Sequence, residues 1–70
     1  MIGPAYAGVD CGSWNTKAAL LDAAGGVIST AVVRTGADVN AAAERAVAEL
    51  LERGGVARAD VAAILSLIHI

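Results

Sequence analysis

A carboxylate, two small residues and a lysine are grouped within residues 8–17, which read GVDCGSWNTK. Asp10 ends an apolar run, Gly12 and Ser13 follow it, and Lys17 comes four residues after Ser13. Glycine lets the backbone approach a ligand closely because it has no Cβ. Successive backbone N–H groups in such a turn form a concave set of donors for phosphate oxygens. The spacing therefore favours a phosphate-binding turn.

Three side chains would complete a phosphate site in this turn. The Ser13 hydroxyl adds a donor, and the Lys17 ammonium supplies a positive charge for a terminal phosphate. The Asp10 carboxylate would hold Mg²⁺, directly or through water, because hard cations prefer carboxylate and water ligands. Singly, these residues would be a turn hydroxyl, a strand-edge lysine and a strand-end carboxylate. Their occurrence together favours the phosphate interpretation.

The elements that must position this turn are predicted from apolar spacing and turn residues. Residues 5–10 are expected to form a buried strand, residues 11–15 a polar loop and residues 17–22 a second strand. The composition of residues 17–22 would also suit a helix. After residues 17–22 come a turn with two glycines and then a β-branched run at residues 27–33. This order favours two strands joined as a hairpin. The first loop thus joins two strands, unlike a Walker A loop or a dinucleotide fingerprint, which precede a helix.

The apolar spacing changes after the loop at residues 35–37. Asp38 or Asn40 suits a helix N-cap, and Gly54 and Gly55 suit its C-terminal end. The residues predicted to form the buried stripe of this helix are Ala43, Ala46, Val47, Leu50 and Leu51. A last strand is expected at residues 61–64. The order of elements predicts an α/β fold with a mixed sheet: a three-stranded meander, a crossover helix and a fourth strand parallel to the first.

Composition excludes several classes of protein. The chain has 70 residues, 5 basic and 7 acidic, so a broad basic surface for nucleic acid is absent. Its 57% of apolar residues argues against disorder, and its single cysteine excludes an internal disulfide. The longest apolar run is about ten residues, against the roughly 20 of a membrane helix. With no secretion signal in the sequence, the default prediction is one domain at most, in the cytoplasm and without a membrane partner.

The loop resembles the first phosphate loop of the superfamily that contains actin, Hsp70 and sugar kinases, whose members share a DxG[ST]xxxK-like turn within a β-hairpin. Within it, the sequence is most similar to the BadF/BadG/BcrA/BcrD-type ATPase family. That family includes the activators of 2-hydroxyacyl-CoA dehydratases and the ATPase subunits of benzoyl-CoA reductase. Its pattern GIDxGSxxxKAxxLD is matched by GVDCGSWNTKAALLD at residues 8–22, and further by Thr35-Gly36 and AAAERA at residues 41–46.

This resemblance implies a ribonuclease-H-like half-subdomain of an actin-like ATPase and a set of site residues. Asp10 would be the catalytic residue and would hold Mg²⁺, chiefly through water. The residues that would bind ATP and its phosphates are Gly12, Ser13, Trp14, Asn15 and Lys17. Trp14 and Asn15 stand where the family has small residues, a change that contacts made by the backbone would tolerate.

The resemblance further implies that ATP hydrolysis is coupled to low-potential electron transfer. In the full-length parent a [4Fe–4S] cluster would bridge a homodimer and reduce an acyl-CoA dehydratase or reductase component. The family's later TGYGR motif is absent, and residues 66–70 resemble adaptor read-through. We therefore expect residues 1–65 to be the N-terminal part of an actin-like ATPase domain and residues 66–70 a non-native tail. The cluster ligands would lie outside this chain, since Cys11 matches neither family cysteine.

Two other functions remain open at this stage. A sugar or N-acetylhexosamine kinase of the same superfamily would share the loop and transfer the γ-phosphate to a hydroxyl. A non-catalytic fragment or interaction domain would leave a sheet edge and an apolar helix flank uncovered. We expect the full-length parent to be an ATPase, a CoA-substrate-specific enzyme activase. The 70-residue chain alone is expected to be inactive, since it supplies one side of a two-sided cleft.

Overall fold

Both predicted hairpins form in the structure, a computed structural model that describes residues 4–69. Strand β1 spans Ala5–Gly12, β2 spans Asn15–Leu21 and β3 spans Val27–Arg34. Each pairs antiparallel with the next, which gives the predicted meander. The second turn is closed by Asp22, whose side chain accepts hydrogen bonds from the N–H groups of Ala24 and Gly26.

The first hairpin has a shorter loop than the sequence predicted. Residues 11–15 were expected to form the loop, but Ser13 and Trp14 are the two residues between β1 and β2. Cys11 continues the inward-facing alternation of β1 and pairs with Thr16 across the hairpin. The strands therefore run closer to the turn than the polar composition indicated, and they hold it more tightly.

Helix α1 spans Val39–Gly54 and has both predicted ends. The Asp38 side chain caps the first turn by accepting a hydrogen bond from the Ala41 N–H at 3.1 Å. Gly55 follows the helix with a positive φ of 64°, a conformation that glycine adopts without strain. The i,i+4 pair of Glu49 and Arg53 also forms, with an N–O distance of 2.6 Å.

Strand β4 spans Val61–His69, after a short 3₁₀ turn, and lies parallel to β1. The sheet order is β3-β2-β1-β4, so the predicted mixed sheet is confirmed. β4 is longer than the predicted strand at residues 61–64, because apolar residues continue where β1 still offers an unpaired edge as far as Gly12. Residues 66–69 thus lie within the strand, while Ile70 lies outside the described residues. The non-native origin of residues 66–70 stays a prediction.

Helix α1 covers one face of the sheet. The side chains buried between them come mainly from alternate strand positions and from one stripe of the helix: Ala5, Ala7, Val9, Cys11, Ala18, Leu20, Ala31, Ala46, Val47, Leu50 and Val56. The opposite face of the sheet is uncovered and carries Tyr6, Val32, Leu65 and Leu67 as exposed large apolar residues. Within residues 4–69, no helix has the length and apolar character needed to cross a membrane.

Candidate functional site

Asp10 and Lys17 are directly opposed in the register of β1 and β2. Opposed residues of an antiparallel pair project from the same face of the sheet. Both are exposed, and they alternate with residues that are buried under α1, so they lie on the uncovered face. The hairpin therefore places a carboxylate and an ammonium side by side, one on each side of the turn.

The turn beyond this pair forms a concavity of about 350 Å³. All the residues that the sequence predicted as site residues line it: Asp10, Gly12, Ser13, Trp14, Asn15 and Lys17. Trp14, at the tip, leaves 77% of its surface exposed. A methyl group at Gly12 would lie 3.0 Å from the Asn15 carbonyl oxygen, so the turn would have to shift by a few tenths of an ångström to admit a larger residue. The structure thus brings every predicted residue to one place.

Thr35 braces the turn from the buried side. Its hydroxyl donates to the Gly12 carbonyl at 2.7 Å, and its backbone N–H donates to the Trp14 carbonyl at 2.9 Å. The hydroxyl oxygens of Thr16 and Thr35 are 3.0 Å apart. A hydroxyl has one hydrogen, and that of Thr35 is used on Gly12, so Thr16 is the donor to Thr35. Thr35 belongs to the Thr35-Gly36 pair of the family resemblance, for which the sequence predicted no role in the site.

A second concavity, of about 330 Å³, adjoins the first on the uncovered face. Gly8 and Ala19 are opposed in register and form its shallow floor, with Leu65 and Leu67 of β4 beside them. Asp10 and Lys17 line both concavities. The charged pair therefore divides a polar region over the turn from an apolar region over the sheet.

The residues at the turn fit Mg²⁺ and do not fit an iron–sulfur cluster. Mg²⁺ is commonly held by one or two carboxylates together with substrate phosphates and water, and Asp10 offers an accessible carboxylate in the concavity. Within residues 4–69 no three or more His, Cys, Asp or Glu residues are grouped so that they could hold a metal ion. Cys11 is 1% exposed and faces the helix side of the sheet, away from the concavity.

Comparison with solved structures identifies the fold. Component A of (R)-2-hydroxyglutaryl-CoA dehydratase from Acidaminococcus fermentans matches with a TM-score of 0.82 and 22% identity over 96% of this chain. The activator of 2-hydroxyisocaproyl-CoA dehydratase from Clostridium difficile, solved with bound ADPNP, matches with a TM-score of 0.78 and 20% identity over 93% of this chain. This chain has the fold of the dehydratase activators.

This likeness confirms the predicted α/β fold with a mixed sheet and one crossover helix. The chain spans 26% of the length of the first activator and 24% of the second, so it corresponds to about a quarter of each. No protein-family model matches the sequence, and no curated protein matches it.

Proposed function

We propose that this chain is the N-terminal, phosphate-binding part of an activator-type ATPase. The observation that carries the proposal is the opposition of Asp10 and Lys17 across a two-residue turn whose concavity Gly12 and Ser13 also line. This arrangement offers a carboxylate for a hydrated cation, an ammonium for phosphate oxygens, and a close-approaching backbone between them. The likeness to two dehydratase activators, one with bound ADPNP, supports the same assignment.

Each residue would have a distinct role when Mg-ATP is bound. Gly12 and Ser13 would hold phosphate oxygens, the first by close approach of its backbone and the second also through its hydroxyl. Lys17 would offset negative charge that develops on the phosphates. Asp10 would orient the water ligands of Mg²⁺, and the cation itself supplies charge neutralisation and alignment of the phosphates. Trp14 and Asn15 would close the outer side of the turn.

The whole protein would be a cytoplasmic ATPase of about four times this length. Its remaining parts would supply the second wall of the cleft, the homodimer contacts and the ligands of a [4Fe–4S] cluster, since Cys11 is turned into the core. Its partner would be an acyl-CoA dehydratase or reductase component that accepts an electron. The first 65 residues would be native and the last five foreign.

The test is Mg²⁺-dependent ATP hydrolysis by the full-length protein and its Asp10→Asn variant. We expect the hydrolysis rate of Asp10→Asn to fall at least tenfold, because asparagine lacks the negative charge that would position the cation. A tenfold loss corresponds to about 1.4 kcal/mol of transition-state stabilisation. Asp38→Asn is the matched control, because it removes the same charge and asparagine caps helices as well as aspartate does. An undiminished rate in Asp10→Asn would overturn the proposal.

The same assay separates the activator from a sugar kinase. An activator releases ADP without any acceptor hydroxyl, whereas a kinase requires one. We expect ADP release to be unchanged by added hexoses or N-acetylhexosamines. A dependence on such a sugar, with recovery of the sugar phosphate, would reassign the protein to the kinase function.

A further inference from the structure

We infer that Thr35 is a positioning residue that sets the orientation of the phosphate-binding turn, with Thr16 as its supporting partner. The inference rests on the proposed function for its consequence, and on the hydrogen bonds of the described residues for its geometry. Thr35 lies immediately after β3, so the turn between β1 and β2 is held by the end of a third strand.

The bonds made by Thr35 reach both sides of the two-residue turn. The Thr35 hydroxyl donates to the Gly12 carbonyl, directly before Ser13, and the Thr35 N–H donates to the Trp14 carbonyl, at the end of the turn. Two peptide planes of a short turn are thereby tied to one buried residue, which is 2% exposed. A turn of two residues has few remaining dihedral angles, so these bonds leave it little conformational freedom.

The direction of the first bond determines which way the Ser13 N–H points. In a planar trans peptide the C=O and the following N–H project in opposite directions. The Gly12 carbonyl is drawn toward the buried Thr35 hydroxyl, so the N–H of Ser13 is directed away from the buried side. A donor aimed outward beside Ser13 Oγ is what a phosphate oxygen in the concavity requires.

Thr16 stabilises this arrangement from within the sheet. Its side chain is fully buried on β2, and its hydroxyl donates to Thr35, whose own hydrogen is then committed to Gly12. Among the described residues that are not exposed, no buried side-chain nitrogen or oxygen lacks a hydrogen-bond partner. Removing the Thr35 hydroxyl would take this partner from the half-buried Gly12 carbonyl and from the fully buried Thr16 hydroxyl, and losing a hydrogen-bond partner is costly for a buried polar group.

The experiment compares Thr35→Val with Thr35→Ser in the full-length protein. Valine keeps the volume and removes the hydroxyl, while serine keeps the hydroxyl. We expect Thr35→Val to weaken Mg-ATP binding by about tenfold, and Thr35→Ser to stay within about twofold of the wild type. Isothermal titration measures the affinity. Amide hydrogen exchange at Thr35, whose N–H donates to the Trp14 carbonyl, measures the order of the turn, and we expect this amide to exchange faster in Thr35→Val.

Ser29→Ala is the matched control. Ser29 makes the same kind of bond, from a half-buried strand hydroxyl to the Leu50 carbonyl at 2.8 Å, but on the helix and away from the turn. We expect this variant to lower the melting temperature while leaving the Mg-ATP affinity unchanged. An equal loss of affinity in Ser29→Ala would show that general destabilisation is responsible, and would overturn the inference.

The two proposals fail in different ways. If the wild-type protein does not bind Mg-ATP, the proposed function is wrong. The positioning role is still tested in that case, because an unchanged rate of amide hydrogen exchange in Thr35→Val would refute it. If the wild type binds and Thr35→Val binds equally well, the positioning role alone is wrong. Should Thr35→Val fail to fold, Thr35→Cys replaces it, because a thiol is a weaker donor than a hydroxyl. We expect Thr35→Cys to bind Mg-ATP more weakly than Thr35→Ser does. Equal Mg-ATP affinities in these two variants would refute the role.

Discussion

Asp10 and Lys17 face each other across β1 and β2, although six residues separate them in the sequence. Their neighbours in the outer strands are Val32 beside Lys17 and Leu67 beside Asp10. These four residues form a row across the four strands, in which the two charged residues lie between the two exposed apolar ones. This arrangement concentrates the charge of the uncovered face at the mouth of the turn, where phosphates and a divalent cation would bind.

Replacement of Lys17 by methionine should weaken Mg-ATP binding. Methionine keeps most of the side-chain length and removes the ammonium, and a bond to a charged group is worth about 1.5–3 kcal/mol, or roughly 10- to 100-fold in affinity. Isothermal titration of the full-length protein measures the change. Arg58→Gln is the control, since it removes one positive charge from an exposed pair with Glu44 far along the chain. Equal affinities in wild type and Lys17→Met would contradict the role.

Gly12→Ala should damage the turn, while Gly8→Ala on the same strand should not. A Cβ at Gly12 would meet the Asn15 carbonyl oxygen at 3.0 Å, whereas a Cβ at Gly8 would meet no atom within 4 Å among the described residues. Because the obstructing atom belongs to the backbone, the turn must shift to admit it. We expect Mg-ATP affinity to fall by at least about tenfold in Gly12→Ala and to stay near wild type in Gly8→Ala. Similar affinities in the two variants would show that close backbone approach at Gly12 is unimportant.

Gly54 and Gly55 should respond oppositely to the size of the replacement. Gly54 lies against the sheet, and its Cβ would come within 3.1 Å of Leu20, Ile28 and Ser29 side-chain atoms, so asparagine should be worse than alanine there. Gly55 has a positive φ and open space, and asparagine tolerates that conformation better than alanine. Urea denaturation followed by circular dichroism gives the four stabilities. The same order of alanine and asparagine at both positions would refute this distinction.

Leu50→Ala should destabilise the fold much more than Leu51→Ala. Leu50 is completely buried between α1 and the sheet, whereas Leu51 is half-buried. Deleting a fully buried leucine costs about 2–5 kcal/mol, and the cost falls where the side chain is already partly hydrated. Chemical denaturation of both variants measures the difference in free energy of unfolding. Equal losses would mean that the helix packs on the sheet through a different stripe.

Much of the fold could be predicted because the local signals agreed with one another. The glycine-containing turn, the β-branched third strand and the capped helix each have a short-range cause, and each formed as predicted. The ends of the strands were less accessible to sequence reasoning. Asn15 was predicted to lie in the loop because it is polar, and β4 was predicted to end at Ile64. Both strands are longer in the structure, because strand length depends on the neighbouring strand available for pairing.

The candidate site residues could be proposed from the sequence because glycine, serine, lysine and aspartate carry their chemistry in their types and spacing, and the structure places them around one concavity. The bracing role of Thr35 could not be found in the same way. A threonine after a strand is unremarkable by itself, and its two bonds to the first turn span 21 and 23 residues of sequence. They exist because β3 pairs with β2 in a register that brings the end of β3 beside the turn.

The sequence by itself determined where the chain turns and which stripe of the helix is apolar, and it indicated the candidate phosphate-binding residues, because each of these depends on residue type and near neighbours. The tertiary structure alone decided that Asp10 and Lys17 share one face, that Thr35 lies beneath the turn and that the apolar face opposite α1 is uncovered. These depend on strand register, and register is established only when distant segments pair.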